Sequence, residues 1–196
     1  MKVLLVVAHP CRDSYTHACA AAATRGLARG GHTVDTIDLD ADAFRPEMSR
    51  DERIAYESDA PILDPMVDDH AGRLLAADAI VFVYPTWWSG LPAVLKGWLE
   101  RVMVPGVGFT LDPQSRKVQP GLRNIRRIVG ISTYGSPWRY VKLMNDNGRR
   151  ILTRAVRMSC GWRTRTTWLA LYALDTADDD RRREHLEHIE SRLAAL

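Results

Sequence analysis

Three short stretches hold the residues best suited to chemistry: 9–16, 85–90 and 132–138. The first, His9-Pro10-Cys11-Arg12-Asp13-Ser14-Tyr15-Thr16, is rich in hydroxyls and runs into a helix start. It has neither the GxGxxG fingerprint nor a glycine-rich loop ending in Lys-Ser or Lys-Thr, so Rossmann-type dinucleotide binding and P-loop chemistry are disfavoured. Free N–H groups and the positive dipole end at such a helix start suit a phosphate, with Ser14 and Thr16 as further donors and His9 as a partner. The plainer reading makes Ser14 only a helix N-cap. The second stretch places Trp87 and Trp88 side by side between Pro85-Thr86 and Ser89-Gly90. Two adjacent tryptophans cannot both enter one core, and an aromatic wall for a flat heterocycle would use them. Alternatively, one packs on a helix and the other meets a partner. In the third, Ser132, Thr133, Tyr134 and Gly135 let backbone N–H groups approach a ring edge, and the Tyr140 phenol follows. A simple turn with a helix cap also fits.

These stretches must be positioned by the elements around them. Residues 3–8 and 79–84 are continuous apolar runs of the kind that fill a parallel sheet. Residues 32–38, 127–132 and 164–172 read as three more strands. Helices are predicted at 15–28, terminated by Gly30-Gly31, around 50–56, and at 69–77 with Asp68 or Asp69 as cap. Others follow at 91–102 with Pro92 in the first turn, within 140–158, and from 176 onward with Leu186, Ile189, Leu193 and Leu196 on one stripe. Residues 104–122, with three prolines and three glycines, read as an excursion loop. Alternating strands and helices imply right-handed crossovers in an open, doubly wound sheet. A single domain over 1–196 is expected, with its ligand beyond the carboxyl ends of the strands.

Composition narrows the function classes. The chain has 196 residues, 46% of them hydrophobic and 26% charged, ordinary for a globular protein. No apolar run approaches a membrane span, and His9-Pro10 interrupts the opening apolar residues before any signal-peptide cleavage site. Cys11, Cys19 and Cys160 show no ligand spacing and suit a reducing cytoplasm. No histidine pair has metal spacing, so no metal is expected. The net charge of +3 is unevenly spread. Acids dominate 38–78, whereas Asp146 is the sole acid between Arg116 and Arg165. A basic face favours an anionic small molecule such as a phosphorylated cofactor, or an acidic face of a second copy. Nucleic-acid binding is not expected, because the bases follow a βα pattern.

The segment Pro85-Thr86-Trp87-Trp88-Ser89-Gly90-Leu91-Pro92-Ala93-Val94-Leu95-Lys96-Gly97-Trp98-Leu99-Glu100-Arg101-Val102 strongly resembles the signature of the NAD(P)H:quinone oxidoreductase (flavodoxin-like fold) family. Ala8-His9-Pro10, Ser14-Tyr15 and Ser132-Thr133-Tyr134-Gly135 fall where that family has its other flavin loops. The resemblance implies an α/β flavodoxin-like three-layer sandwich: a five-stranded parallel sheet, order 2-1-3-4-5, with helices on both faces. It further implies bound FMN or FAD, with a lean to FMN, its phosphate near Ser14, Tyr15, Thr16 and His9. The ring would lie against Pro85, Thr86, Trp87 and Trp88, and its pyrimidine edge toward Ser132, Thr133, Tyr134, Gly135 and Tyr140. Hydride would pass from NAD(P)H through the flavin to a quinone, or to a nitro- or azo-aromatic, with Tyr140 as the catalytic residue. A cytoplasmic homodimer is implied as well, and the arginines around 116–127 would favour NADPH.

There are departures. Animal members of the family carry two tyrosines over the substrate where Phe109 and Leu111 stand here, and a histidine for proton handling without counterpart between Tyr140 and Cys160. Asn145 and Asp146 are the nearest polar groups. Phe109, Leu111 and Asn145 are thus expected to shape a more apolar substrate pocket. The long C-terminal extension of larger members is also absent, which leaves FMN against FAD open. Two other readings stand: a flavin-binding regulatory subunit docking on a potassium-efflux-type membrane transporter, and an electron-carrying flavodoxin, disfavoured by the basic isoelectric point of about 8.9.

Overall fold

Three apolar runs become the middle strands of a parallel sheet because side chains on both of their faces find cover, and two runs that are more polar and exposed form its edges. In the computed structural model, which describes residues 1–112 and 114–196, the strands are β1 (Lys2–Val7), β2 (Thr33–Asp38), β3 (Ala79–Pro85), β6 (Arg127–Thr133) and β7 (Arg165–Leu171). Their order is β2-β1-β3-β6-β7, all neighbours parallel. The expected 2-1-3-4-5 arrangement is therefore present. β4 (Phe109–Leu111) and β5 (Val118–Pro120) form a separate antiparallel hairpin inside the stretch read from sequence as a loop. Three-residue strands fall below what an apolar pattern can signal.

Alternate residues of the central strands sort into two cores. Val3, Leu5 and Val7 face α1 (Tyr15–Arg29) and α8 (Asp179–Ala194), packing with Cys19, Ala23, Ile189 and Leu193. Leu4 and Val6 face the opposite layer with Phe82, Tyr84, Leu95 and Trp98. Alanines on α1 let α8 come close. At Gly26 a methyl group would stand 2.4 Å from the Glu190 carbonyl. The second layer holds α3 (Pro65–Leu75) and α4 (Ala93–Val102), joined where Trp98 Nε1 donates to His70 Nδ1 at 3.2 Å.

Several helix boundaries differ from expectation. α3 begins four residues early, because Asp64 rather than Asp68 or Asp69 is the cap, accepting from the Met66 N–H, with Pro65 at the first position. Pro92 precedes α4 as its cap instead of lying in its first turn. The 140–158 stretch is interrupted. α5 (Trp138–Leu143) ends at two left-handed residues, Asn145 and Asp146. Then α6 (Asn147–Arg150), a π-helical turn (Ile151–Val156) and α7 (Arg157–Cys160) run on. Asn and Asp tolerate the left-handed region better than other side chains.

The acidic stretch before α3 is tied down. It contains α2 (Arg50–Ala55), whose Ser49–Glu52 capping box closes its start. Arg101 of α4, only 6% exposed, donates to Glu52, Asp64 and the Arg45 carbonyl, with its guanidinium 5.1 Å over the Phe44 ring. Among the described residues, no helix is long and apolar enough to cross a membrane.

Candidate functional site

Strand order reverses between β1 and β3, so the loops that leave their carboxyl ends separate and open a crevice. Loop 86–92, loop 134–137 and the start of α6 line a cleft of about 640 Å³ there. Its wall includes Thr86, Trp88, Gly135, Tyr140, Met144 and Asp146.

Each loop is fixed by hydrogen bonds behind the cleft. Thr86 N–H donates to the Thr133 carbonyl at 2.8 Å, and the Thr86 and Ser132 hydroxyls are 3.0 Å apart. Trp87 and Gly90 exchange two backbone bonds, making Trp88-Ser89 a two-residue hairpin turn. In its I′ form such a turn has positive φ at both central residues. Trp88 and Ser89 supply it at φ 49° and 58° despite carrying side chains. Asn145 at 74° and Asp146 at 48° do the same across the cleft, and Ala173, bonded to the Ser136 carbonyl, adds a fifth at 55°. Five of the seven non-glycine residues with positive φ among the described residues thus gather at one end of the sheet. Each costs on the order of 1 kcal/mol, and strain of this kind concentrates at functional sites.

Aromatic surface gathers at the same place. Trp88 is completely exposed, Trp87, Trp138 and Tyr140 are about half exposed, and Leu143 and Met144 stand beside them. An exposed apolar patch of this breadth marks a binding surface. Hydrogen-bond donors are ready as well: the backbone N–H groups of Trp88, Ser89, Gly135 and Ser136 bond no other group of the described chain.

His9 connects the first loop to the second. Its Nδ1 accepts from the Cys11 N–H at 3.0 Å, so the ring proton of a neutral His9 sits on Nε2, and its ring lies 5.6 Å from that of Trp87. Ser14 is the N-cap of α1, accepting from the His17 N–H. Thr16 is buried, and Tyr15 turns toward α8, where its hydroxyl donates to the Arg182 carbonyl at 2.8 Å. Ser132, Thr133 and Pro85 are buried behind the cleft, and Tyr134 is buried at its wall. Asn145 lies at a smaller neighbouring cavity, held by Asn147 and Arg150. Phe109 and Leu111 sit in the β4–β5 hairpin and do not line the cleft within one chain.

A polar network that sequence reading did not assemble underlies the cleft. Tyr134 donates to Asp146 Oδ1 at 2.9 Å, Lys142 donates to Oδ2 at 3.2 Å, and the Tyr134 ring stacks on Tyr172 at 4.7 Å. Burial, reinforced by Tyr84 and Asp146, pushes the Tyr134 phenol far above its ordinary value, so it stays a proton donor. The Tyr84 hydroxyl is buried with no hydrogen-bond partner among the described residues. Gly148 lets α6 approach it, since a methyl group there would stand 3.2 Å from that oxygen. The Asn-Asp-Asn run was the available signal for the break that brings Asp146 inward. Among the described residues no cluster could hold a metal ion.

A family profile described as flavodoxin-like fold matches residues 1–194. The rat (Rattus norvegicus) protein named NAD(P)H dehydrogenase (quinone) 1 is 33% identical over 150 residues, 69% of this chain and 54% of that protein. The chain thus spans about half the length of the curated relatives it matches. The structure of an NAD(P)H:quinone oxidoreductase from Methanothermobacter marburgensis is 28% identical with a TM-score of 0.81, covering 99% of this chain and 94% of that one. An FMN-dependent NADH-azoreductase from Bacillus anthracis, solved in complex with FMN, shares the fold at a TM-score of 0.76 and 16% identity over 100% of this chain and 99% of that one. The chain belongs to the flavodoxin-like fold family.

Proposed function

We propose that this member of the flavodoxin-like fold family works as one domain and is a flavin-dependent oxidoreductase. It takes hydride from NAD(P)H and passes it to a quinone or similar flat aromatic acceptor in two half-reactions at the 640 Å³ cleft. The observation that carries this is the gathering of exposed rings, strained turns and free N–H groups at the switch point. The quinone-reductase names of its relatives support the same reading.

The residues present fit a flavin. Exposed rings of Trp87 and Trp88 offer faces to a planar heterocycle, and the N–H groups of Gly135 and Ser136 are free for its polar edge. The start of α1, with Ser14 and the Nε2 proton of His9, suits a phosphate. When bound, a flavin supplies hydride acceptance and release. The chain's part is to hold the ring, exclude water and stabilise developing negative charge. Tyr140, half exposed at the cleft, is the donor for that charge. FMN is the favoured form. The fully exposed Trp88 would be covered in a homodimer, and the expected compartment is the cytoplasm.

The test is a visible spectrum of the purified protein followed by anaerobic NADPH. Flavin bands near ~450 nm that bleach on addition are expected. Trp87→Ala should weaken flavin retention roughly tenfold, and Tyr140→Phe should slow turnover roughly tenfold or more while leaving flavin content intact. Unchanged flavin content and rate in both variants would sink the assignment.

A further inference from the structure

A second, larger cleft lies at the opposite end of the sheet. It measures about 910 Å³ and is lined by Arg123, Arg126, Arg127, Arg163, Arg165 and Trp162 around a floor that includes Ile125, Cys160 and Thr164. β6 has seven residues, so at ~3.3 Å per residue this cleft is roughly 20 Å from the first. Arg123, Arg126 and Arg127, three of the arginines around 116–127 expected from sequence to favour NADPH, line this cleft and not the aromatic one.

No carboxylate lines the cleft, and none of its five arginines forms an ion pair among the described residues. Arg127 and Arg165 are direct partners in the β6–β7 ladder, so two guanidinium-bearing side chains leave neighbouring strands on the same face. Like charges so placed oppose each other unless an anion sits between them. The loop that completes the cleft is held in place. Arg157 donates to the carbonyls of Thr164 at 2.8 Å and Trp162 at 2.9 Å, and the buried Thr164 hydroxyl donates to the Ile125 carbonyl at 2.8 Å. On that fixed loop the Trp162 ring is 80% exposed, with the Arg163 guanidinium 5.0 Å from its centroid.

We propose that this cleft is a binding site for a nucleoside phosphate, its phosphates held by Arg127, Arg165 and their neighbours and its base stacked on Trp162. Guanidinium groups pair with phosphate oxygens through two parallel hydrogen bonds. An exposed indole offers a face to any nucleobase. Convergence of the charges into a cleft of small-ligand size favours a compact ligand over a macromolecular surface.

The probes are ADP, pyrophosphate and adenosine, each titrated into the purified protein and followed by heat and tryptophan fluorescence. ADP binds, pyrophosphate binds more weakly, and adenosine alone gives no signal. Arg127→Gln/Arg165→Gln weakens ADP and pyrophosphate by roughly tenfold or more and leaves bound flavin unchanged. Trp162→Ala weakens ADP and leaves pyrophosphate alone. A Trp88→Ala variant keeps ADP binding, which separates this cleft from the aromatic one. ADP binding that survives the double arginine variant, or no binding of either anion, overturns the proposal. Pyrophosphate as tight as ADP, unaffected by Trp162→Ala, overturns its nucleoside part. Retention on an acidic polymer without ADP binding makes the patch a docking face and overturns it too.

Discussion

The guanidinium of Arg101 is buried beside Phe44 and donates to Glu52, Asp64 and the Arg45 carbonyl, whereas Arg127 and Arg165 sit side by side on adjacent strands and form no ion pair among the described residues. Both regions collect positive charge where chain segments distant in sequence meet. In the first, the charge is fully answered by the protein and closes the acidic stretch onto α4. In the second, no ion pair answers it among the described residues, and Arg123 bonds the Gln119 side chain and the Pro120 carbonyl. Removing the partner of a saturated buried arginine is costly for the fold, whereas the unpaired guanidinium groups of the second cleft are the ones proposed to hold phosphate.

Four measurements would break or sharpen that contrast, the largest effect first. Arg101→Leu should lower the unfolding free energy in urea by about 3 kcal/mol, because Glu52 is left as a largely buried carboxylate without its partner. A loss below about 1 kcal/mol would erase the distinction between the two regions.

The acid limb of stability is next. Burial raises the Glu52 carboxyl, but hydrogen bonds from Ser49 and Arg101 outweigh it and hold it below its ordinary 4.5. The Arg101 hydrogen bond chiefly lowers Asp64 below 3.8. Both groups are depressed on folding, so their contribution is complete above those ordinary values and lost as pH falls through the lower folded ones. Wild-type stability should therefore drop in this acid window, and Arg101→Leu should show a shallower drop. Equal slopes would remove Arg101 as the cause.

Arg127→Gln should leave the ligand-free protein equally stable or up to about 1 kcal/mol more stable, since a like-charge neighbour is relieved. A clear destabilisation would show Arg127 to be answered by the fold, as Arg101 is. Trp162→Ala is expected to move the urea midpoint least, within about 0.5 kcal/mol, because the ring is mostly solvated.

Much of the aromatic cleft was legible because its signals are local. Trp87-Trp88 cannot be a core pair, and the strand ends before Thr86 and Tyr134 place both loops at one end of a parallel sheet. Less legible was which way each side chain points. Tyr15 was expected beside the cofactor phosphate, and helix rotation sends its hydroxyl to the Arg182 carbonyl of α8. Ser14 is the cap that its type allowed. Asp146 reaches Tyr134 only because two left-handed residues break a stretch that reads as helix.

The sequence by itself determined the alternation of strands and helices, the parallel sheet and the three loops at its carboxyl end, because hydrophobic period, caps and turn residues act over a few positions. Only the tertiary structure decided that Arg123, Arg126, Arg127, Arg163 and Arg165 meet around Trp162, or that Arg101 finds two carboxylates from far up the chain. Those meetings depend on which strands become neighbours and in what register, a choice made by burial of the whole sheet rather than by any local run of residues.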